Sequence, residues 1–145
     1  MPQQWLIVNE QIGPELWASI RKLPRGSGVL IVGEPGANER RRLRHLALVR
    51  NLALVTEGPR TAARVHDAGE LRRAMLRRTP LILLSPLYRT RSHPAWKPLP
   101  RMRAAALARL GQRKLFALGG MDARRYATVA PLGFIAWAGI SAFRT

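Results

Sequence analysis

Thr79-Pro80-Leu81-Ile82-Leu83-Leu84-Ser85-Pro86 sets four consecutive apolar residues between two proline-containing breakers. The run is too short for a helix and lacks the alternation of a half-exposed strand, so it reads as a strand buried on both faces. Working toward the carboxyl end, a loop over residues 85–98 rich in Pro, Arg, Ser and His leads to Pro100. Pro100 can open a helix carrying Met102, Ala106 and Leu110, which Gly111 stops. Residues 115–118 form the next apolar run and end in Gly119-Gly120; a helix starts near Asp122, Pro131 breaks it, and residues 134–140 are the last strand.

The amino side repeats the pattern. Residues 5–8, 29–32 and 52–55 are apolar runs. Pro14 opens a helix with Leu16, Trp17 and Ile20 on one face, and Asn38 is expected to cap a second that carries Leu43, Leu46 and Ala47. Asp67-Ala68-Gly69-Glu70 has the spacing of a capping box before Leu71, Ala74 and Met75. Apolar strands alternating with amphipathic helices imply an α/β fold with a parallel sheet. There are six such strands, with a weaker seventh around residues 64–66, all within one domain over residues 1–145. A full eight-stranded barrel takes about 250 residues and rarely fewer than 200. At 145 residues the expectation is an open sheet or an abbreviated TIM-type β/α barrel.

Composition narrows the function. With no cysteine and three scattered histidines, a disulfide framework, a thiolate metal site and a cysteine nucleophile are excluded, and a zinc site is not expected. The apolar runs fall short of the roughly 20 residues that span a bilayer, and no basic segment precedes the first of them. The expectation is a cytoplasmic protein without a membrane partner. The balance of 25 Lys plus Arg against 8 Asp plus Glu gives a net charge of +17, the footprint of a nucleic-acid binder. Yet the arginines spread over nearly every expected helix, with groups at Arg40, Arg41, Arg42 and Arg44 and at Arg72, Arg73, Arg77 and Arg78, and no aromatic residues interleave with them. That pattern reads as solvated helix faces, with only non-specific attraction to nucleic acid.

The chemistry-bearing residues gather at strand ends. Gly119-Gly120 and Gly139-Ile140-Ser141 are small-residue turns after the last two strands, where many β/α barrels hold a phosphate. The alternative is that glycine serves turn geometry alone. Ser85, Thr90, Arg91, Ser92 and His93 follow the strand at 81–84, and hydroxyls with guanidinium groups suit a phosphorylated small molecule.

Ser85-Pro86-Leu87-Tyr88-Arg89-Thr90-Arg91-Ser92-His93-Pro94, then Ala117-Leu118-Gly119-Gly120-Met121, then Gly139-Ile140-Ser141-Ala142, resemble in order and spacing the carboxyl half of the thiamine phosphate synthase and TenI family. The resemblance implies a β/α barrel. It also implies thiamine biosynthesis: family synthases join a thiazole phosphate to a pyrimidine diphosphate with loss of pyrophosphate, using magnesium, and the TenI branch includes a thiazole tautomerase. Carried over, Thr90, Arg91 and Ser92 match the loop that touches the thiazole phosphate, and Gly119, Gly120, Ile140 and Ser141 match its phosphate-binding turns. His93 stands where synthases have a lysine that contacts pyrophosphate, and an imidazole offers fewer donors and no fixed charge.

The amino half departs further. The family carries a basic cluster after its second strand and metal-binding acidic residues after its third and fourth. Here those places read Gly33-Glu34-Pro35-Gly36 and Val55-Thr56-Glu57-Gly58, followed quickly by Val65-His66-Asp67. Glu57 can stand for one carboxylate, one β/α unit is missing with the other, and Asp67 and Asp122 read as helix caps. Magnesium is implied by the resemblance while its ligands are largely absent. The expectation is a shortened member that binds a phosphorylated thiazole-type ligand and forms a homodimer over the gap in its wall, with His93 and Glu57 as the remaining catalytic candidates. The competing readings are a non-catalytic phosphate-binding or regulatory module and a basic RNA-associated protein.

Overall fold

A computed structural model describes residues 1–9, 11–90 and 93–143, and the side chain of Ser141 also lies outside the description. Strands and helices alternate: β1 (Gln4–Val8), α1 (Pro14–Lys22), β2 (Gly28–Ile31), α2 (Ala37–Arg50), β3 (Ala53–Thr56), β4 (Ala62–Val65), α3 (Ala68–Leu76), β5 (Leu81–Leu84), α4 (Arg101–Leu110), β6 (Leu115–Ala117), α5 (Ala123–Val129) and β7 (Phe134–Gly139). The seven strands pair in the order β3-β2-β1-β7-β6-β5-β4, every pairing parallel, in a curled half-barrel. The weak seventh run is thus a full strand, β4, and its ladder with β5 includes Val65 opposite Leu84.

The edges are β3 and β4, which follow one another in the chain with no helix between them. Relative to an eight-stranded barrel, one strand is missing together with the helices on either side of it. A parallel connection ordinarily needs a crossover of a dozen residues or more. Register explains how residues 57–61 suffice. The row Val65, Leu84, Ala117, Trp137, Gln4 reaches β1 one residue before the row Trp5, Gly28, Ala53 that begins β2 and β3. Laid flat, β4 therefore lies wholly below β3. Curling a staggered parallel sheet brings the start of β4 up beside the end of β3, where Gly58 and Ala62 form an isolated antiparallel bridge.

Three apolar clusters follow from strand alternation. Trp5, Ile7, Leu30, Leu83, Phe116 and Ala138 fill the concave interior. Trp5 tilts onto Phe116 with ring centroids 5.8 Å apart, and a Cβ on Gly28 would lie 2.2 Å from the Trp5 ring, so glycine there makes room for the indole. On the outer face, α3, α4 and α5 cover one side through Leu71, Leu107 and Val129, while α1 and α2 cover the other through Trp17, Ile20 and Leu43. Each large side chain so buried stabilises the fold by about 1.5–3 kcal/mol.

The caps at Asp67 and Asp122 form as read: their carboxylates accept from Glu70 N at 2.8 Å and Arg125 N at 2.7 Å. The cap of α2 differs, because the helix begins at Ala37 with Gly36 as its N-cap. Glu39, the third helical residue, folds its carboxylate over Gly36 where the helix dipole favours negative charge, and Asn38 instead accepts from Arg41 Nη2. Among the described residues no helix is long and apolar enough to cross a membrane.

Candidate ligand site at the carboxyl ends of the strands

The segment after β5 folds back over the exit of β6. After the cis Ser85-Pro86 bond, Leu87 N donates to Leu118 O at 3.0 Å, Tyr88 N to Gly119 O at 3.1 Å and Leu99 N to Pro86 O at 2.8 Å. Gly119 has φ +101°, and a Cβ there would lie 2.7 Å from Pro86 Cα. Gly120 has φ +59° with Arg89 O 2.6 Å from the same hypothetical position, and its own carbonyl accepts from Arg125 Nη1 at 2.6 Å. Both glycines are therefore required by backbone packing, whatever else they do. At the next exit a Cβ on Gly139 would approach Met121 O to 3.0 Å, Ile140 is exposed, and Phe143 stacks on Trp137. Gly119, Gly120 and Gly139, with the loop that starts at buried Ser85, thus form one continuous ledge.

Side chains around the ledge are largely committed to each other. The Arg125 guanidinium sits 4.8 Å from the Tyr88 ring centroid, and Tyr88 Oη shares a hydrogen bond with Thr128 Oγ1 at 2.7 Å. Asp122 occupies the amino end of α5, so a carboxylate already meets that helix dipole. Tyr126 donates to Phe134 O at 3.0 Å, and burial pushes its phenol above the ordinary range, partly offset by a hydrogen bond with Gln3.

His93 N donates to Thr90 Oγ1 at 2.9 Å, and its ring stacks on Trp96 with centroids 3.8 Å apart. Trp96 also receives the His66 ring edge-on, and His66 Nδ1 lies 3.1 Å from Glu70 Oε2. Arg91 and Ser92 lie outside the described residues. Glu57 is held bidentately by Arg64, with Nε–Oε2 2.6 Å and Nη2–Oε1 3.1 Å. It clasps the edge of β3 to the edge of β4, apart from the ledge.

A magnesium site fits these residues poorly. Glu57 is paired, Asp67 and Asp122 are spent on caps, and no three His, Cys, Asp or Glu side chains gather among the described residues. Sequence reasoning missed Arg64, Trp96 and Arg125. Arg64 was detectable, because in Ala62-Ala63-Arg64-Val65 it shares the inward face of Ala62 in an otherwise apolar strand.

No family model matches this chain, and no curated protein matches it. Among solved structures, thiamine phosphate pyrophosphorylase from Bacteroides thetaiotaomicron superposes with a TM-score of 0.60 at 12% identity, covering 98% of this chain and 84% of that one. The chain has an α/β fold resembling that of thiamine phosphate synthase. At this identity the likeness is one of fold.

Proposed function

We propose that this protein is a thiamine phosphate synthase/TenI-like binder of a phosphorylated thiazole-type ligand, seated at the ledge formed by the loops after β5, β6 and β7. The observation that carries the reading is the contiguity of that ledge. Three segments separated in sequence, which resemble the family's thiazole-phosphate loops, are joined by Leu87 N–Leu118 O and Tyr88 N–Gly119 O and by the packing of Gly139 on Met121. Backbone N–H groups at glycine turns, with Arg89 beside them, suit the oxygens of a phosphate.

The same reading assigns the protein negligible synthase activity. Displacing pyrophosphate requires charge stabilisation on the leaving group, and single contacts of that kind are each worth about 100- to 1000-fold in rate. Glu57 is occupied by Arg64, His93 replaces a fixed charge, and the remaining aspartates cap helices. Titrating a thiazole phosphate into labelled protein should shift the amide resonances of Gly119, Gly120 and Gly139 more than equimolar inorganic phosphate does. Unmoved resonances at these residues would remove the binding claim. Robust formation of thiamine phosphate from both substrates with magnesium would remove the claim of inactivity.

A further inference from the structure

The missing unit leaves a second feature on the opposite side of the wall. In a complete barrel the helix following a strand covers that strand's outer face, but here the chain passes straight from β3 to β4. A basin remains between α2 and the outer face of β2 and β3, lined by Ile31, Pro35, Arg40, Arg44, Leu54 and Thr56. Ile31 and Leu54 belong to the outer apolar cluster, so this basin is separate from the barrel interior and from the ledge.

Its polar groups are cationic and largely free. Arg40 is tethered by Nε to Pro35 O at 3.2 Å, which leaves its four Nη hydrogens available. The Arg44 guanidinium, one helical turn on, makes no hydrogen bond or ion pair with the described residues, and Thr56 is exposed at the end of β3. The other arginines of α2 are engaged: Arg41 with Asn38, Arg42 over the Trp17 ring at 4.1 Å, and Arg50 with Leu23 O. Glu39 is the acidic residue of this helix and lies over Gly36, while Glu34 is exposed in the preceding loop. Among the described residues Arg64 with Glu57 is the arginine–carboxylate pair, so most of the +17 surplus is not neutralised within the fold.

We propose that this basin binds a phosphate group, with Arg40 and Arg44 directing guanidinium forks at its oxygens and Thr56 Oγ1 donating to it, and that the phosphate belongs to a nucleic-acid strand. The basin is open and offers few donors, so one isolated phosphate gains little there. A polyanion draws on many such contacts and on counterion release, and Arg41 and Arg42 extend the positive surface of the first turns of α2 beside the basin. The contact is to backbone and reads no sequence.

The test is fluorescence anisotropy with a labelled 12-nucleotide single strand over a range of chloride concentrations. Arg40→Gln with Arg44→Gln should weaken binding about tenfold near 100 mM salt and make the log–log salt slope shallower by about 0.7, the slope of roughly one phosphate contact on a single strand. Arg72→Gln with Arg73→Gln on α3 removes the same charge and should change affinity less than about threefold. Thr56→Val, which keeps the charge, should weaken binding about threefold with the slope unchanged. Equal losses from the two arginine pairs would overturn the site in favour of diffuse attraction. Displacement of the strand by 10 mM inorganic phosphate, beyond ionic-strength-matched chloride, would overturn the nucleic-acid assignment and leave a free-anion site. Melting curves matching wild type identify variants that fold.

Discussion

At the exits of β5 and β6 neighbouring loops are joined by main-chain bonds around glycines that tolerate no side chain, whereas at the exit of β3 the chain crosses to β4 on main-chain bonds that the side chains of Glu57, Arg64 and Thr61 supplement. The first junction uses Leu87 N–Leu118 O, Tyr88 N–Gly119 O and two glycines at positive φ. The second uses Gly58 N–Ala62 O, Ala62 N–Gly58 O and Thr61 N–Gly58 O together with the Arg64–Glu57 pair and the Thr61 hydroxyl on Thr56 O, around a glycine that is not at positive φ. Backbone bonds with left-handed glycines admit few conformations. An ion pair between partly exposed side chains admits many and contributes about 0.2–1 kcal/mol. The ledge is thus the more tightly specified part of the carboxyl rim, and the seam the softer, because its glycine has room for a side chain.

The sharpest way to break this contrast is to add one methyl group at each junction. Gly119→Ala forces a side chain onto a backbone at φ +101° and against Pro86 Cα at 2.7 Å. Left-handed strain and overpacking each cost roughly 1–3 kcal/mol, so a loss of about 3 kcal/mol is expected. Gly58→Ala meets Thr61 Oγ1 at 3.4 Å, an ordinary contact, and should change stability by less than about 1 kcal/mol. Urea denaturation of both variants measures the difference, and equal losses would show that the seam is as tightly specified as the ledge.

A second variant asks whether the softness extends from the seam into its neighbouring helix. Leu43 is the one buried residue of α2, whereas α3 buries Leu71 and Ala74 and α4 buries Ala104, Leu107 and Ala108. Leu43→Ala should lower stability by about 2–5 kcal/mol, because the side chain is fully buried against Trp17 and Ile20 and its loss leaves a cavity. It should also speed amide exchange along α2 while leaving the amides of Leu87 and Tyr88 protected. Uniform acceleration across the molecule would mean that the two halves open as one unit.

The same contrast decides what was legible in the sequence. The parallel α/β class and the exits at Gly119-Gly120 and Gly139 could be read because apolar runs, prolines and glycines are local signals. Asp67 and Asp122 could be read because a cap acts over three residues. The start of α2 was misplaced at Asn38, since the deciding interaction is Glu39 returning over a glycine that has no capping side chain. The extent of β4 was understated because its pairing is with β5, nearly twenty residues away, and Arg64 interrupts its apolar pattern. At the candidate site, the glycine turns were found, but the partner of Glu57 and the stacking of His93 on Trp96 depend on curling that no local pattern encodes.

The smallest effect tests the clasp itself. Arg64 and Glu57 keep 45% and 26% of their side chains exposed, so either group left alone remains in contact with water and escapes the penalty of a buried unpaired charge. Arg64→Gln should therefore lower global stability by less than about 1 kcal/mol, although the pair lies in bidentate geometry across two strand edges that share no ladder. Its larger consequence should be local. The peptide bond after Arg60 lies in the five-residue crossing of residues 57–61, and releasing the clasp frees that crossing from one of the restraints that hold it, beside the main-chain bonds of Gly58, Thr61 and Ala62 and the Thr79 hydroxyl on Pro59 O. Trypsin should then cut after Arg60 several-fold faster than in wild type, as followed by mass spectrometry at early times. Cleavage after Arg89, beside the ledge and held by main-chain bonds at Leu87 and Tyr88, should keep its wild-type rate. A stability loss above about 2 kcal/mol would identify the pair as a structural keystone. Unchanged cleavage after Arg60 would show that Thr61 and the Gly58–Ala62 bridge hold the seam without it.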